Sequence, residues 1–151
     1  MVNIIEYEDR YAADFRKLNL EWLDKYNLTE DLDRQVLDDP KGRILDPGGY
    51  ICLAVLNNEI VGTSALIREH DQVFELAKMS VTPSHRGLGI SKLLIEKCLD
   101  KARELEAKKL VLFSNSQLQT ALRLYTQYGF QHVPIEDSPF VTADVKMELL
   151  F

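Results

Sequence analysis

The feature that most constrains this chain is an abrupt change of hydrophobic period around Val81–Ser91, VTPSHRGLGIS. Upstream, Gln72 to Val81 (QVFELAKMSV) reads as a strand that stops at Thr82-Pro83, where proline removes a ladder donor. Downstream, Ile90, Leu93, Leu94, Cys98, Leu99, Ala102 and Leu105 form one helical face, with Lys92, Glu96, Asp100, Arg103 and Glu104 opposite. Between the two lie Gly87 and Gly89. A strand that turns into a helix through such a loop gathers backbone N–H groups and the positive end of a helix dipole in one concavity, which suits a phosphate or pyrophosphate. Glycine lets an anion approach the backbone, and Arg86 adds a charged fork. Glycine turns of this kind also serve geometry alone, so both readings stand at this point.

The rest of the pattern brackets that turn. Val2 to Tyr7 reads as a strand. Tyr11, Phe15, Leu18, Trp22 and Tyr26 recur at helical steps, and Thr29 to Asp39 predicts a short acidic helix with Thr29 as N-cap. Pro40, Gly42, Pro47, Gly48 and Gly49 mark a loop. Tyr50 to Leu56 and Ile60 to Ile67 predict strands joined at Asn57-Asn58, a pair that tolerates a hairpin's positive φ, and Gly62 suggests a bulge or close packing. After the helix from Ile90 come a strand at Lys109 to Phe113, a helix from Leu118 to Tyr128 closed by Gly129, and strands at Gln131 to Pro134 and Val141 to Leu150. The order βαα, three meandering strands, then α, β, α, β, β predicts a single mixed α/β domain over residues 1–151.

Composition narrows the function. A formal net charge of −6 without a basic face argues against nucleic acid and is compatible with a cationic substrate. Cys52 and Cys98 sit in apolar segments and read as buried thiols of a reducing compartment. His70, His85 and His132 show no metal-type pairing, so no metal is expected. The opening MVNIIEYEDR lacks a signal peptide's basic start and apolar stretch, and no run has the length of a membrane span. A cytoplasmic location without membrane contact is the expectation. Spelling excludes two phosphate motifs: the Walker pattern is absent, and Lys92 breaks the dinucleotide fingerprint.

Arg86-Gly87-Leu88-Gly89-Ile90-Ser91 resembles motif A of the GNAT acetyltransferases, [Q/R]-x-x-G-x-[G/A], with serine at the last position. Glu75 to Val81 resembles the family's fourth strand, and Ala121-Leu122-Arg123-Leu124-Tyr125 with Gly129-Phe130 resembles its motif B. The resemblance implies the family's fold, a mostly antiparallel sheet splayed between strands 4 and 5 and flanked by helices. It implies acetyl-CoA as co-substrate, with the pantetheine paired to the backbone of Met79, Ser80 and Val81 and the pyrophosphate on the amides from Arg86 to Ser91. An amide near Met79 would polarise the acetyl carbonyl. Tyr125 matches the tyrosine that protonates the leaving thiolate, with helix anchoring as the alternative.

Glu75 lies four residues before Met79, where histone-type members carry a catalytic glutamate. That offset predicts a shared strand face for the two side chains. An alkylammonium, with a pKa of roughly 10, must lose a proton before it attacks. Glu75 is read as that base, an ammonium anchor or a solvated carboxylate. Asn115 stands where many members contact cofactor, although it precedes Ala121 by six residues rather than three. His85 is read as a phosphate contact or an exposed loop histidine, and Tyr128 matches no motif position and reads as structural. The acids of the first two helices, among them Glu21, Asp24, Glu30, Asp31, Asp33, Asp38 and Asp39, predict either an electronegative mouth for amines or a solvated face. The expected reaction is acetyl transfer to a primary amine of a small molecule or peptide by direct attack, since neither cysteine lies near the motifs. A non-catalytic acyl-CoA sensor or partner-binding protein of the same fold is the rival, and a homodimer is left open.

Overall fold

Asn57 and Asn58 take φ values of 51° and 64°, the left-handed pair that a two-residue hairpin needs. They join β2 (Tyr50–Leu56) to β3 (Glu59–His70), and Asp71 at φ 45° turns the chain into β4 (Val73–Val81). The computed structural model describes residues Met1–Phe151. The other elements are β1 (Asn3–Glu6), α1 (Ala12–Lys25), α2 (Asp31–Asp38), α3 (Ile90–Glu104), β5 (Lys109–Ser114), α4 (Gln119–Gln127), β6 (Gln131–Val133) and β7 (Val145–Leu150). Together the strands form one seven-stranded sheet in the order β1-β2-β3-β4-β5-β7-β6, antiparallel except for the parallel pair β4–β5. The crossover between those parallel strands is α3. No helix is long and apolar enough to cross a membrane.

Each face of the sheet has its own core. On one, Phe15 of α1 and Leu37 of α2 meet Ile51, Leu53 and Ala65. On the other, Ile90, Leu94, Ile95, Cys98 and Leu99 of α3 meet Cys52, Ala54, Leu66, Leu76 and Val81, together with Leu122 of α4 and Phe130. Gly62 shows both expected features. The β2–β3 register slips between Ala54 and Val55, and a Cβ on Gly62 would lie 3.0 Å from Leu94 Cδ1 and 3.2 Å from Ile90 Cγ2. Its bare backbone lets α3 sit close to the sheet.

The feature that positions the site is where β4 and β5 stop pairing. Their ladder holds only Val73–Lys109, Phe74–Leu110 and Glu75–Val111. Beyond it β4 stays on β3 as far as Val81, and β5 stays on β7 as far as Ser114, so a gap opens between them. A bulge in β4 accompanies the parting. Lys78 adopts φ 53°, and the β3 register jumps from Thr63–Ser80 to Ala65–Ala77.

Several sequence expectations need correction. Thr29 does not cap α2; Asp33 Oδ2 accepts from Glu30 N at 2.9 Å in a capping box, and the Thr29 hydroxyl bonds Asp24 instead. Residues 40–49 are not all loop, because Lys41–Leu45 forms a π-helical turn. Leu93 falls off the apolar face of α3 and is 40% exposed. The last strand starts at Val145 rather than Val141, since Glu30 and Ser116 draw residues 141–144 away from the sheet.

Candidate active site

After Val81 the chain makes a short turn, Arg86 stays extended, and Gly87 and Gly89 take φ values of 79° and 77° before α3 begins. A left-handed backbone is what glycine allows and a side chain resists. A Cβ at either glycine would meet nothing within 4 Å, so the space before the turn is open. The amides from Gly87 to Lys92 donate to no protein acceptor, as expected at a helix start. They face a cleft of about 420 Å³ that Trp22, Ser80, Val81 and Arg86 line, with Lys92 and Arg123 at its rim. The Arg86 guanidinium lies 4.5 Å from the centroid of the Trp22 ring, and its buried Nε has no hydrogen-bond partner. A cation stacked on an aromatic face with an unspent donor has the chemistry to receive an anion. Leu88, at 61% exposure, is the tip of the turn, whereas Ile90 is buried in the core behind it and Ser91 lines the cleft.

Met79 links this cleft to a smaller cavity of about 120 Å³ near the point where β4 and β5 separate. Glu75, Lys78, Asp33, Asn19, Trp22, Asn115, Tyr125 and Phe140 line it. On its β5 side, β4 from Leu76 to Val81 has no neighbouring strand, which leaves main-chain groups for an extended ligand. Ser80 spends its hydroxyl on Thr63 Oγ1 at 3.2 Å, so any part it takes is main-chain.

The bulge overturns the prediction that Glu75 and Met79 share a face. Pairing puts Glu75, Ala77 and Ser80 opposite Ile67, Ala65 and Thr63 on the α1 side, whereas Met79 packs on the α3-side core. An extra residue between them inverts the two-residue alternation. Both still line the small cavity. Glu75 is 7% exposed, and burial, reinforced by nearby Glu69 and only partly offset by Lys78, pushes its carboxyl up to about 8. Such a group exchanges protons near neutral pH.

Tyr125, from α4, stacks edge-on to Phe130 with centroids 6.0 Å apart, and burial pushes its phenol up to about 12. It therefore keeps its proton, and no protein side chain takes the hydroxyl's hydrogen bond. Asn115 is tied on both sides: Nδ2 donates to Thr142 O at 2.8 Å and Oδ1 accepts from Gln117 N at 3.1 Å. It braces the 140–144 segment as well as lining the cavity. Tyr128 donates to Glu96 Oε2 at 2.6 Å, away from the cavities, and His85 Nδ1 bonds Thr82 and Ser84 locally. Cys52 and Cys98 are buried in the core and line neither cavity.

Of the acids on the first two helices only Asp33 lines either cavity, and several of the others are tied to neighbours. Asp33 pairs with Lys78, Asp38 with Arg16, Asp39 accepts from Gly42 N, and Glu30 accepts from Val141 and Thr142. Sequence reasoning missed Lys78 and Trp22 as site residues. The signal for Lys78 is an ammonium between the apolar residues Leu76, Ala77 and Met79 of a strand; the helical spacing of Trp22 gives only a place on the core face of its helix.

A profile of the acetyltransferase (GNAT) family matches residues 12–130. N-acetylaspartate synthetases are similar: that of Xenopus tropicalis is 36% identical over 63% of this chain and 35% of its own length, and the human protein 34% identical over 70% and 36%. The chain thus spans about a third of the length of those relatives. The uncharacterised N-acetyltransferase YjgM of Escherichia coli is 29% identical over 72% of this chain and 70% of its own. Among solved structures, a GNAT-family acetyltransferase of Staphylococcus aureus superposes with a TM-score of 0.89 at 26% identity, covering 99% of both chains. The fold is also that of the Salmonella typhimurium acetyltransferase yncA with acetyl-CoA, at a TM-score of 0.79 and 20% identity over 99% of this chain and 94% of that one. The splayed sheet, the open glycine turn and these likenesses agree, and the chain belongs to the GNAT acetyltransferase family.

Proposed function

We propose that residues 1–151 work as one cytoplasmic N-acetyltransferase unit that moves the acetyl group of acetyl-CoA to a primary amine by direct attack. The observation that carries this reading is the continuity of the cleft. Unpartnered amides at the glycine turn, the open edge of β4, and the cavity of Glu75 and Tyr125 follow one another along a single gap. The amides from Gly87 to Ser91 and the Arg86 guanidinium hold the pyrophosphate. The backbone of Met79, Ser80 and Val81 pairs with the pantetheine as an added strand would.

The acceptor enters as an ammonium and gives a proton, directly or through water, to Glu75 in its ionised form, a fraction that grows as pH rises towards about 8. The freed nitrogen lone pair attacks the thioester carbonyl, and an amide near Met79 steadies the oxyanion. Collapse breaks the carbon–sulfur bond, and the Tyr125 hydroxyl protonates the departing thiolate. The buried position of Glu75 supports its role, because its proton affinity falls between those of an ordinary carboxylate and an amine. Both cysteines are remote, which supports transfer without an acetyl-enzyme.

Thermal shift against acetyl-CoA, CoA and ATP, followed by thiol release with a panel of amines, tests the proposal. Stabilisation by acetyl-CoA with amine-dependent thiol release is expected. Stabilisation with no release for any amine would replace it with the acyl-CoA sensor reading. A shift with ATP alone would remove acetyl-CoA from the account.

A further inference from the structure

Lys78 occupies the wall of the small cavity under conditions that call for a reason. It sits at the β4 bulge with φ 53°, a conformation that costs a residue bearing a Cβ. Its ammonium is buried, with side-chain exposure of 6%, where a lysine is rarely found unless paired. Nζ has one hydrogen-bond partner, Asp33 Oδ1 at 2.5 Å, and lies 5.3 Å from the centroid of the Phe140 ring. An ammonium carries three donors, so two are unspent in a cavity that the residue lines.

Asp33 is held from behind. Its other oxygen accepts from Glu30 N at 2.9 Å, which fixes the aspartate at the start of α2. The Glu30 carboxylate in turn accepts from Val141 N at 2.9 Å, Thr142 N at 2.8 Å and Thr142 Oγ1 at 2.6 Å. These bonds stitch the segment bearing Phe140 over this end of the cleft. A cavity of about 120 Å³ bounded in this way fits a molecule of amino-acid size better than a protein segment. The same cavity is lined by the Glu75 carboxyl, near enough to feel the Lys78 charge, and by Asn19, whose side-chain oxygen accepts no hydrogen bond. One small cavity therefore holds spare donors on a cation together with acceptors for an amino group.

We propose that the acceptor amine also carries a carboxylate, and that Lys78 receives this carboxylate while the amino group points towards Glu75. This rests on the acetyl-transfer reading above and names its substrate class, a small amino acid or a related zwitterion. Lys78 is then a substrate-binding residue that sets specificity, and Asp33 is a positioning residue that holds the ammonium in place.

The experiment compares each amino acid with the amine left when its carboxylate is removed, L-alanine with ethylamine and L-leucine with isoamylamine, and adds L-aspartate and spermidine. The readout is kcat/KM for thiol release from acetyl-CoA. Hydrogen bonds to charged groups are worth about tenfold or more in binding. The carboxylated member of each pair is expected to be favoured by at least about that factor, and Lys78→Met is expected to bring the ratio close to one. Lys78→Arg, which keeps the charge, is expected to retain part of it. Should Lys78→Met fail to fold because Asp33 is left as a lone buried charge, the double variant Lys78→Met/Asp33→Asn reads the same ratio without that charge. Preference for the plain amines or spermidine would overturn the proposal and leave acetyl transfer standing. So would an unchanged ratio in a variant that is still stabilised by acetyl-CoA. Thiol release with no amine at all, from protein that acetyl-CoA stabilises, would overturn the acetyl-transfer reading and this one with it.

Discussion

Glu75→Gln should damage catalysis and relieve the fold in the same pH range, a pair of effects that few other roles would produce together. The carboxyl is buried and holds its proton up to about pH 8, against an ordinary value of 4.5. Once the chain unfolds, that carboxyl ionises in water at the ordinary value. Between the two the folded state binds the extra proton. The stabilising contribution is therefore fully present below the ordinary value and is lost as pH rises through about 8. At ~1.36 kcal/mol per pH unit, the window caps this loss at about 5 kcal/mol. Glutamine has nothing to titrate. Thermal unfolding from about pH 5 to about pH 9 should show the variant gaining on the native protein by ~2–4 °C in Tm for each kcal/mol in a chain of this length. Turnover should fall ~10²–10⁴-fold, with the deficit level below about pH 8, where the Glu75 carboxylate and the free amine increase together, and shrinking above it. A stability difference that stays flat with pH would refute the claim of a neutral buried acid. A rise in KM at every pH with kcat kept would make Glu75 an ammonium anchor and leave the base to water.

Three further outcomes are expected. Tyr125→Phe should lower kcat ~10²-fold and leave acetyl-CoA affinity nearly unchanged, measured by steady-state kinetics beside thermal shift, because only a hydroxyl needed in the transition state is lost. Gly89→Glu should abolish stabilisation by acetyl-CoA, whereas Gly89→Asn, which tolerates φ 77° and adds no charge, should retain part of it. Gly62→Ala should destabilise the protein by about 1–3 kcal/mol in denaturant titration, because the added methyl meets Leu94 at 3.0 Å and Ile90 at 3.2 Å.

Period and punctuation alone laid out the chain. Alternation in 50–81, the asparagine pair at 57–58, the glycines at 87 and 89, and the switch to helical spacing from Ile90 are local properties, and a local conformation follows from them. The proposed nucleotide end of the site was legible for the same reason: a glycine turn is one contiguous segment whose φ values can be expected from spelling.

The acceptor end was not legible, because it is built from residues distant in the chain. Asn19 and Trp22 come from α1, Asp33 from α2, Lys78 from β4, Tyr125 from α4 and Phe140 from the segment before β7. No spacing records that Lys78 meets Asp33, or that Asp38 of α2 pairs with Arg16 of α1. The bulge at Lys78 matters most. A strand read at period two puts Glu75 and Met79 on one face, and one extra residue, fixed by pairing with β3 and by the packing of α1 and α3 on opposite sides, puts them on two. The sequence by itself determined the elements and the phosphate turn. Tertiary packing alone decided which side chains share a cavity, because that depends on burial and long-range pairing rather than on neighbours in the chain.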